Sequence, residues 1–339
     1  MTSISALKQS PKIKSIAKFL VRSLTVILIL ILAVTTYLFI PISDVKPTQI
    51  GPQISNYDQA IQKFATLQAK DGTDIISDCR SAVLSHGKKT SKAIVLFHGF
   101  TSCPKQFDQF SQLLFEQGYN VLMPRLPFHG LNDLNTRDQN KLEASQILNL
   151  TQESVMIASG LGENVETFGL SGGGVMSLWA GLNLSQVSKS VVVSPIIRPY
   201  LTKDYPLNPV IKILDTAPDQ YVYWDDQLKD KAEFAPYAYK GFSTKALAQF
   251  LKIGSTVVKQ ISTNPNSRAK FILITSEIDQ AVDNSLAVAV FDSLKAQAKI
   301  TQTHFFTKTD NIPHDSIDPR NTAGNTAFVY PKVLEWIQD

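Results

Sequence analysis

Apolar positions fall into three regimes along the chain. The first is residues 23–43, a run of 21 residues without a charge and rich in Leu, Ile and Val. As a helix rising about 1.5 Å per residue, it covers the roughly 30 Å hydrocarbon thickness of a bilayer. Pro41, Pro47, Gly51 and Pro52 then interrupt helical order, making 44–79 a linker that leads into one amphipathic helix. In that helix, expected over 55–69, Ser55 offers an N-cap and Tyr57, Ile61, Phe64 and Leu67 share one face. From about residue 80 a third regime begins, in which short apolar blocks alternate with longer amphipathic ones. The blocks at 93–97, 120–123, 165–168, 190–193, 271–275 and 301–306 read as buried strands. The segments at 104–119, 142–160, 175–180 and 284–296, and a last one through Val329, Val333, Leu334 and Ile337, read as helices. This alternation predicts an α/β fold over 80–339, a mostly parallel sheet covered by helices on both faces.

The rhythm breaks once. Between the strands at 190–193 and 271–275 the chain is far longer than one crossover needs, so residues 196–268 are expected to form an inserted cap. The insertion is dense in aromatics: Tyr200, Tyr205, Tyr221, Tyr223, Trp224, Phe234, Tyr237, Tyr239 and Phe242. It ends in an amphipathic stretch from Ser243. The aromatics can pack the cap onto the domain or line an apolar pocket.

Charge changes the picture mainly at the start. The formal net charge is +4, yet Lys8, Lys12, Lys14, Lys18 and Arg22 all precede the apolar run with no acid among them. The remainder is thus nearly neutral, which argues against a nucleic-acid-binding surface. A basic tail (1–22) before a single uncharged span (23–43) predicts a cytoplasmic N-terminus, a membrane anchor and an extracytoplasmic globular part. A cleaved signal peptide is the alternative. Its apolar core is usually about 7–15 residues and ends at small residues, which residues 36–40 do not supply.

The stretch around which the domain is organised is Gly169-Leu170-Ser171-Gly172-Gly173, set between a predicted strand and a predicted helix. A serine at a sharp strand-to-helix turn needs flanking glycines, because strand and helix pass too closely for a Cβ. The turn exposes the Ser171 hydroxyl and puts the Gly172 amide at a helix N-terminus, where unsatisfied N–H groups favour a developing oxyanion. Two more chemistry-bearing loops follow predicted strands. One carries Glu277, Asp279 and Asp283, the other Asn311-Ile312-Pro313-His314-Asp315. A serine, an acid and a histidine therefore arrive in the order Ser, Asp, His, each beyond a strand end.

On these motifs, residues 80–339 resemble an α/β-hydrolase of the serine hydrolase group, which includes esterases, monoacylglycerol-lipase-like enzymes and iminopeptidase-like peptidases. The resemblance implies Ser171 as nucleophile, Asp279 as acid and His314 as base, with the amides of Phe100 and Gly172 as oxyanion donors and Gly169 and Gly173 shaping the elbow. It implies a carboxylic ester or lipid-like substrate and neither a cofactor nor a metal; the sequence has no His-x-His or His-Glu-x-x-His. A peptidase would need carboxylates for a substrate amine, for which Asp225 and Asp226 are the candidates. A non-catalytic binding module would have no use for all three triad residues. Phe128 and Gly172 depart from the usual pattern of the group.

Alternatives to the triad assignment exist. Asp283 stands where a cap of the following helix is expected, and Glu277 is also in reach. His98 reads as a structural hydrogen-bonder beneath the oxyanion loop and His129 as a pocket residue. Lastly, the resembled fold brings Cys79 and Cys103, the only two cysteines, to one edge of the sheet. They are then either a disulfide, which an extracytoplasmic location permits, or two separately buried thiols.

Overall fold

The computed structural model describes residues 11–48, 54–224, 236–263, 267–297 and 299–338. It divides into two units, 1–41 and 42–339. The first is a helix, α1 (Pro11–Phe39). Within it Ser15–Phe39 is long and apolar enough to cross a membrane, and none of its most apolar stretch is buried in protein. A signal sequence near an N-terminus has the same properties.

The second unit is built on a seven-stranded sheet. Before it comes α2 (Tyr57–Gln68), capped by Asn56 Oδ1, which accepts the Gln59 N–H at 3.0 Å. Then follow β1 (Ala82–Leu84), β2 (Thr90–Phe97), α3 (Asp108–Glu116), β3 (Asn120–Met123), α4 (Ala144–Leu161), β4 (Gly162–Leu170), α5 (Gly172–Asn183) and β5 (Val187–Val193). The insertion holds α6 (Leu207–Thr216), β6 (Tyr221–Tyr223) and β7 (Gly241–Ser243), the two strands making a separate antiparallel pair. The chain closes with α7 (Thr244–Ser262), β8 (Lys270–Ser276), α8 (Asn284–Ala296), β9 (Thr301–Phe306) and α9 (Thr326–Gln338). Strand order is β1-β3-β2-β4-β5-β8-β9, with β1 antiparallel to β3 and all other pairs parallel. The central strands are apolar on both faces because helices cover both. Ala93, Val95 and Val165 pack in one core with α4, α5 and α7, whereas Ile94, Leu96 and Phe168 pack in the other with α3 and α9.

Two boundaries differ from the pattern-based reading. The compact unit begins at Ile42, not near residue 80. The cause is α2, whose Ala60, Phe64 and Leu67 are buried in the same core as α4. Its apolar stripe therefore faces the domain. The second difference concerns the cap. The amphipathic stretch from Ser243 is α7, whose Leu247, Phe250, Leu251 and Val257 lie in the sheet-facing core with Val175 and Trp179. It is a layer helix over the sheet, so the true insertion ends at about residue 243. Periodicity alone cannot separate these cases, since a cap helix and a crossover helix both bury one face.

Candidate active site

Parallel pairing aligns the strand ends. Phe97 pairs with Gly169 and Leu170 with Val193, so the loops after β2, β4 and β5 leave the same edge. Ser276 pairs with Phe306, bringing the loops after β8 and β9 beside them.

Ser171 sits between β4 and α5 at φ 57° and ψ −112°, a strained conformation for a residue with a side chain. It is held by backbone bonds at both ends. Its N–H donates to Val193 O at 2.9 Å, and its carbonyl accepts the N–H groups of Val175 (3.2 Å) and Ile196 (3.1 Å). Glycine is required on both flanks. A Cβ on Gly169 would lie 1.9 Å from Gly173 O, and one on Gly173 would lie 1.8 Å from Phe97 O.

Asp279 and His314, the expected acid and base, meet in the loops opposite. His314 Nδ1 and Asp279 Oδ2 are 2.8 Å apart. The Asp279 side chain is wholly enclosed while 23% of the His314 side chain stays exposed. Asp279 is anchored independently of the histidine: Oδ1 accepts the N–H groups of Ala281 (2.8 Å) and Val282 (3.3 Å), and Oδ2 accepts Asn284 Nδ2 (3.1 Å). Burial favours its neutral form, but His314, the Ala281 amide and the Ser194 hydroxyl outweigh it and hold the carboxyl below its ordinary value. Burial pushes His314 down, and Asp279 and Asp315 more than compensate, so its imidazole titrates above the ordinary 6.5. The alternative acids have other work. Asp283 caps α8 by accepting the Ser285 (3.1 Å) and Leu286 (3.4 Å) amides, and exposed Glu277 accepts the Lys308 N–H at 3.0 Å.

Ser171 and His314 line one cavity of about 420 Å³. No hydrogen bond joins their side chains here; such contacts commonly tighten only when substrate is bound. A larger groove of about 610 Å³, bordered by Lys63, Arg125 and Glu153, is lined by none of Ser171, Asp279 and His314.

Phe100 lines the same cavity. Gly99 O accepts both His98 Nδ1–H (2.9 Å) and the Ser102 N–H (3.1 Å), which fixes the plane of the Gly99–Phe100 peptide. In a trans peptide the N–H points opposite to the C=O, so the Phe100 N–H is turned away from those partners. It has no acceptor among the described residues. The space that a Gly172 Cβ would occupy lies 3.1 Å from Phe100 N, which sets residue 172 beside the Phe100 amide. That space is also 2.9 Å from the Phe250 ring of α7, a physical reason for glycine at 172. His98, 1% exposed, also accepts the Leu126 N–H at Nε2 (3.1 Å), and burial puts its titration well below the usual range. Burial likewise brings His129 to about 4.

Cys79 and Cys103 form a disulfide with Cα atoms 5.3 Å apart, tying the turn before β1 to the residue following Phe100-Thr101-Ser102. The insertion touches that loop too: Trp224 Nε1 donates to Thr101 Oγ1 (3.0 Å) and the Tyr239 N–H to Thr101 O (2.9 Å). Of the described aromatics of the insertion, Trp224 alone lines the cavity, while Tyr237 and Tyr239 are buried. Asp225, Asp226 and Phe234 lie outside the described residues. Residue patterning had not pointed to Gln106, Asn284 or Asp315. Asp315 adjoins His314 and lines the cavity with Gln106, and a polar side chain beside the candidate histidine was the available signal for it.

No protein-family model matches the sequence, and no curated protein matches it significantly. Solved structures do match. The structure resembles that described with LipS and LipT, two metagenome-derived lipolytic enzymes, at TM-score 0.59 and 15% identity, over 78% of this chain and 99% of that one. It resembles the Paleococcus ferrophilus monoacylglycerol lipase at TM-score 0.58 and 17% identity, over 76% and 96%. This chain has the α/β-hydrolase fold. A third match is a soluble variant of Saccharomyces cerevisiae monoglyceride lipase with a substrate analog, at TM-score 0.54 and 15% identity over 76% and 91%. Identities this low establish the shared fold and leave the chemistry to the site.

Proposed function

We propose that the chain is a serine hydrolase of carboxylic esters, acting through an acyl-enzyme. The observation that carries this reading is the His314–Asp279 pair, whose histidine lines the same cavity as Ser171, a strained serine at the strand-to-helix turn. In this mechanism His314 Nε2 takes the proton of Ser171 Oγ as the oxygen attacks the ester carbonyl. Asp279 holds the proton on Nδ1 and stabilises the imidazolium, and the Phe100 and Gly172 amides receive the oxyanion. Collapse returns the proton from Nε2 to the leaving alcohol, and water repeats the sequence to free the acid. A lipid-like acyl chain suits the neighbours, two of which are described as acting on monoacylglycerols. Nothing among the described residues favours a peptidase. The reading includes α1 as an uncleaved anchor with the catalytic domain outside the cytoplasm, since the basic residues precede the span.

The test is to label the full chain with a fluorophosphonate and assay p-nitrophenyl esters of graded length. Ser171→Ala is expected to remove labelling and lower ester turnover by ~10⁴ or more, with Tm nearly unchanged. Full turnover by that variant would refute the mechanism.

A further inference from the structure

The oxyanion donor Phe100 and the base His314 stand on loops from different strands, and the mechanism requires them at fixed separation. One side chain spans the two. Gln106, 2% exposed, lies in the short 3₁₀ turn Pro104–Phe107. Its Oε1 accepts the Gly99 N–H at 2.8 Å, and its Nε2 donates to Asp315 Oδ2 at 3.1 Å across 209 residues of sequence. The orientation of the amide is chemically dictated. Reversal would set an NH₂ against an N–H and a carbonyl against a carboxylate. Gly99 immediately precedes Phe100, and Asp315 immediately follows His314.

We infer that Gln106 and Asp315 form a clasp that positions the oxyanion loop against the histidine loop, making both positioning residues for the reaction proposed above. This inference rests on that ester-hydrolase reading. The rest of the surroundings leaves the clasp on neutral donors. Asp318, which shares the cavity, is engaged by Arg320 Nε (3.0 Å) and by the Tyr237 hydroxyl, and Arg320 also approaches Asp108 at 3.6 Å. Asp315 Oδ1 takes the Asp318 N–H at 3.3 Å, and the ionisable groups that line the same cavity are His314, Asp318 and Arg320. A buried carboxyl held by an uncharged amide makes the clasp sensitive to one isosteric change.

Gln106→Glu keeps an acceptor for Gly99 but sets a carboxyl against Asp315. The two can share one proton, which restores a hydrogen bond, until rising pH removes it. The expected result for the full chain in detergent with p-nitrophenyl butyrate is a kcat lowered about tenfold or more and KM nearly unchanged. The deficit relative to wild type should widen as pH rises. Adding Asp315→Asn reverses the polarity of the clasp: the new amide donates to the new carboxylate while its oxygen still accepts the Asp318 N–H. The double variant is therefore expected to recover kcat to within about threefold of wild type and to lose the widening with pH. A Gln106→Glu enzyme with unchanged kcat at every pH overturns the clasp. So does a folded double variant that remains as impaired as the single one, a criterion that holds even if the single variant fails to fold. Should wild type hydrolyse no ester, the functional reading fails. The clasp is then judged by the rate of fluorophosphonate labelling at Ser171 across the same variants, and equal rates, or none in any of them, overturn it.

Discussion

The two ends of the same strands bury polar groups in opposite ways. At the amino end, Glu166 accepts the Tyr119 hydroxyl (3.2 Å) and faces Lys189 Nζ (3.7 Å), Lys92 Nζ reaches the Tyr119 oxygen (3.3 Å), and Lys189 also meets Ile337 O. These groups answer one another on ordinary backbone. At the carboxyl end, five of the six described non-glycine residues with positive φ follow a strand: Thr101, Phe128, Ser171, Ser194 and Asn311. There, the Phe100 amide has no acceptor among the described residues, and the partly exposed His314 lines a cavity. A sheet that pairs these charged groups at one end and strains the backbone at the other divides stability from the proposed chemistry along a single set of strands.

The sharpest way to break this comparison is Gly172→Ala. The new methyl would stand 2.9 Å from the Phe250 ring and 3.1 Å from Phe100 N, so one of them must move. Phe250 is fully buried and yields little. Turnover is expected to fall about 10–100-fold, as for loss of much of one oxyanion donor, with a stability cost of roughly 1–3 kcal/mol from overpacking. Wild-type kcat would show that the two amides do not act together. At the opposite end, Glu166→Gln leaves a half-buried Lys189 without its counter-charge, and about 2–4 kcal/mol of stability should be lost. Denaturant midpoints measure that cost, while kcat at a temperature where the variant is folded should stay within twofold of wild type. A comparable drop in kcat would end the separation argued here.

How much of this was legible beforehand depends on whether the deciding contact is local. Buried strands such as Asn120–Met123 announce themselves by four consecutive enclosed side chains, and α8 by the Asp283 cap. The elbow is a local steric problem solved by Gly169 and Gly173. By contrast, α2 and α7 carried apolar faces whose partners the sequence does not name. Gln106 carries no pattern, because its meaning comes from Gly99 and from Asp315 two hundred residues away. The same holds for Trp224, which gains its role by reaching Thr101.

The smallest expected effect is also the one that tests the pairing of acid and base directly. His98 and His129 are driven by burial to titrate below the ordinary range, so at the carboxyl end the near-neutral transition belongs to His314. Burial alone would lower His314 as well, but Asp279 and Asp315 raise it above 6.5. Because only the neutral imidazole can accept the Ser171 proton, kcat/KM should rise with pH through a midpoint above 6.5. Stability runs the other way. A raised folded-state value means that His314 contributes fully below its unfolded value and loses that contribution as pH climbs through the folded one. Asp279, held below 3.8, contributes above its unfolded value and loses the contribution only as pH falls through its folded one. Across the His314 transition, activity should therefore appear as a modest part of the stability disappears, a change in Tm of a few degrees at most. In Asp279→Asn the two curves should lose their common midpoint, with the remaining histidine transition displaced downward. An unchanged midpoint in that variant would mean that Asp279 is not what raises His314.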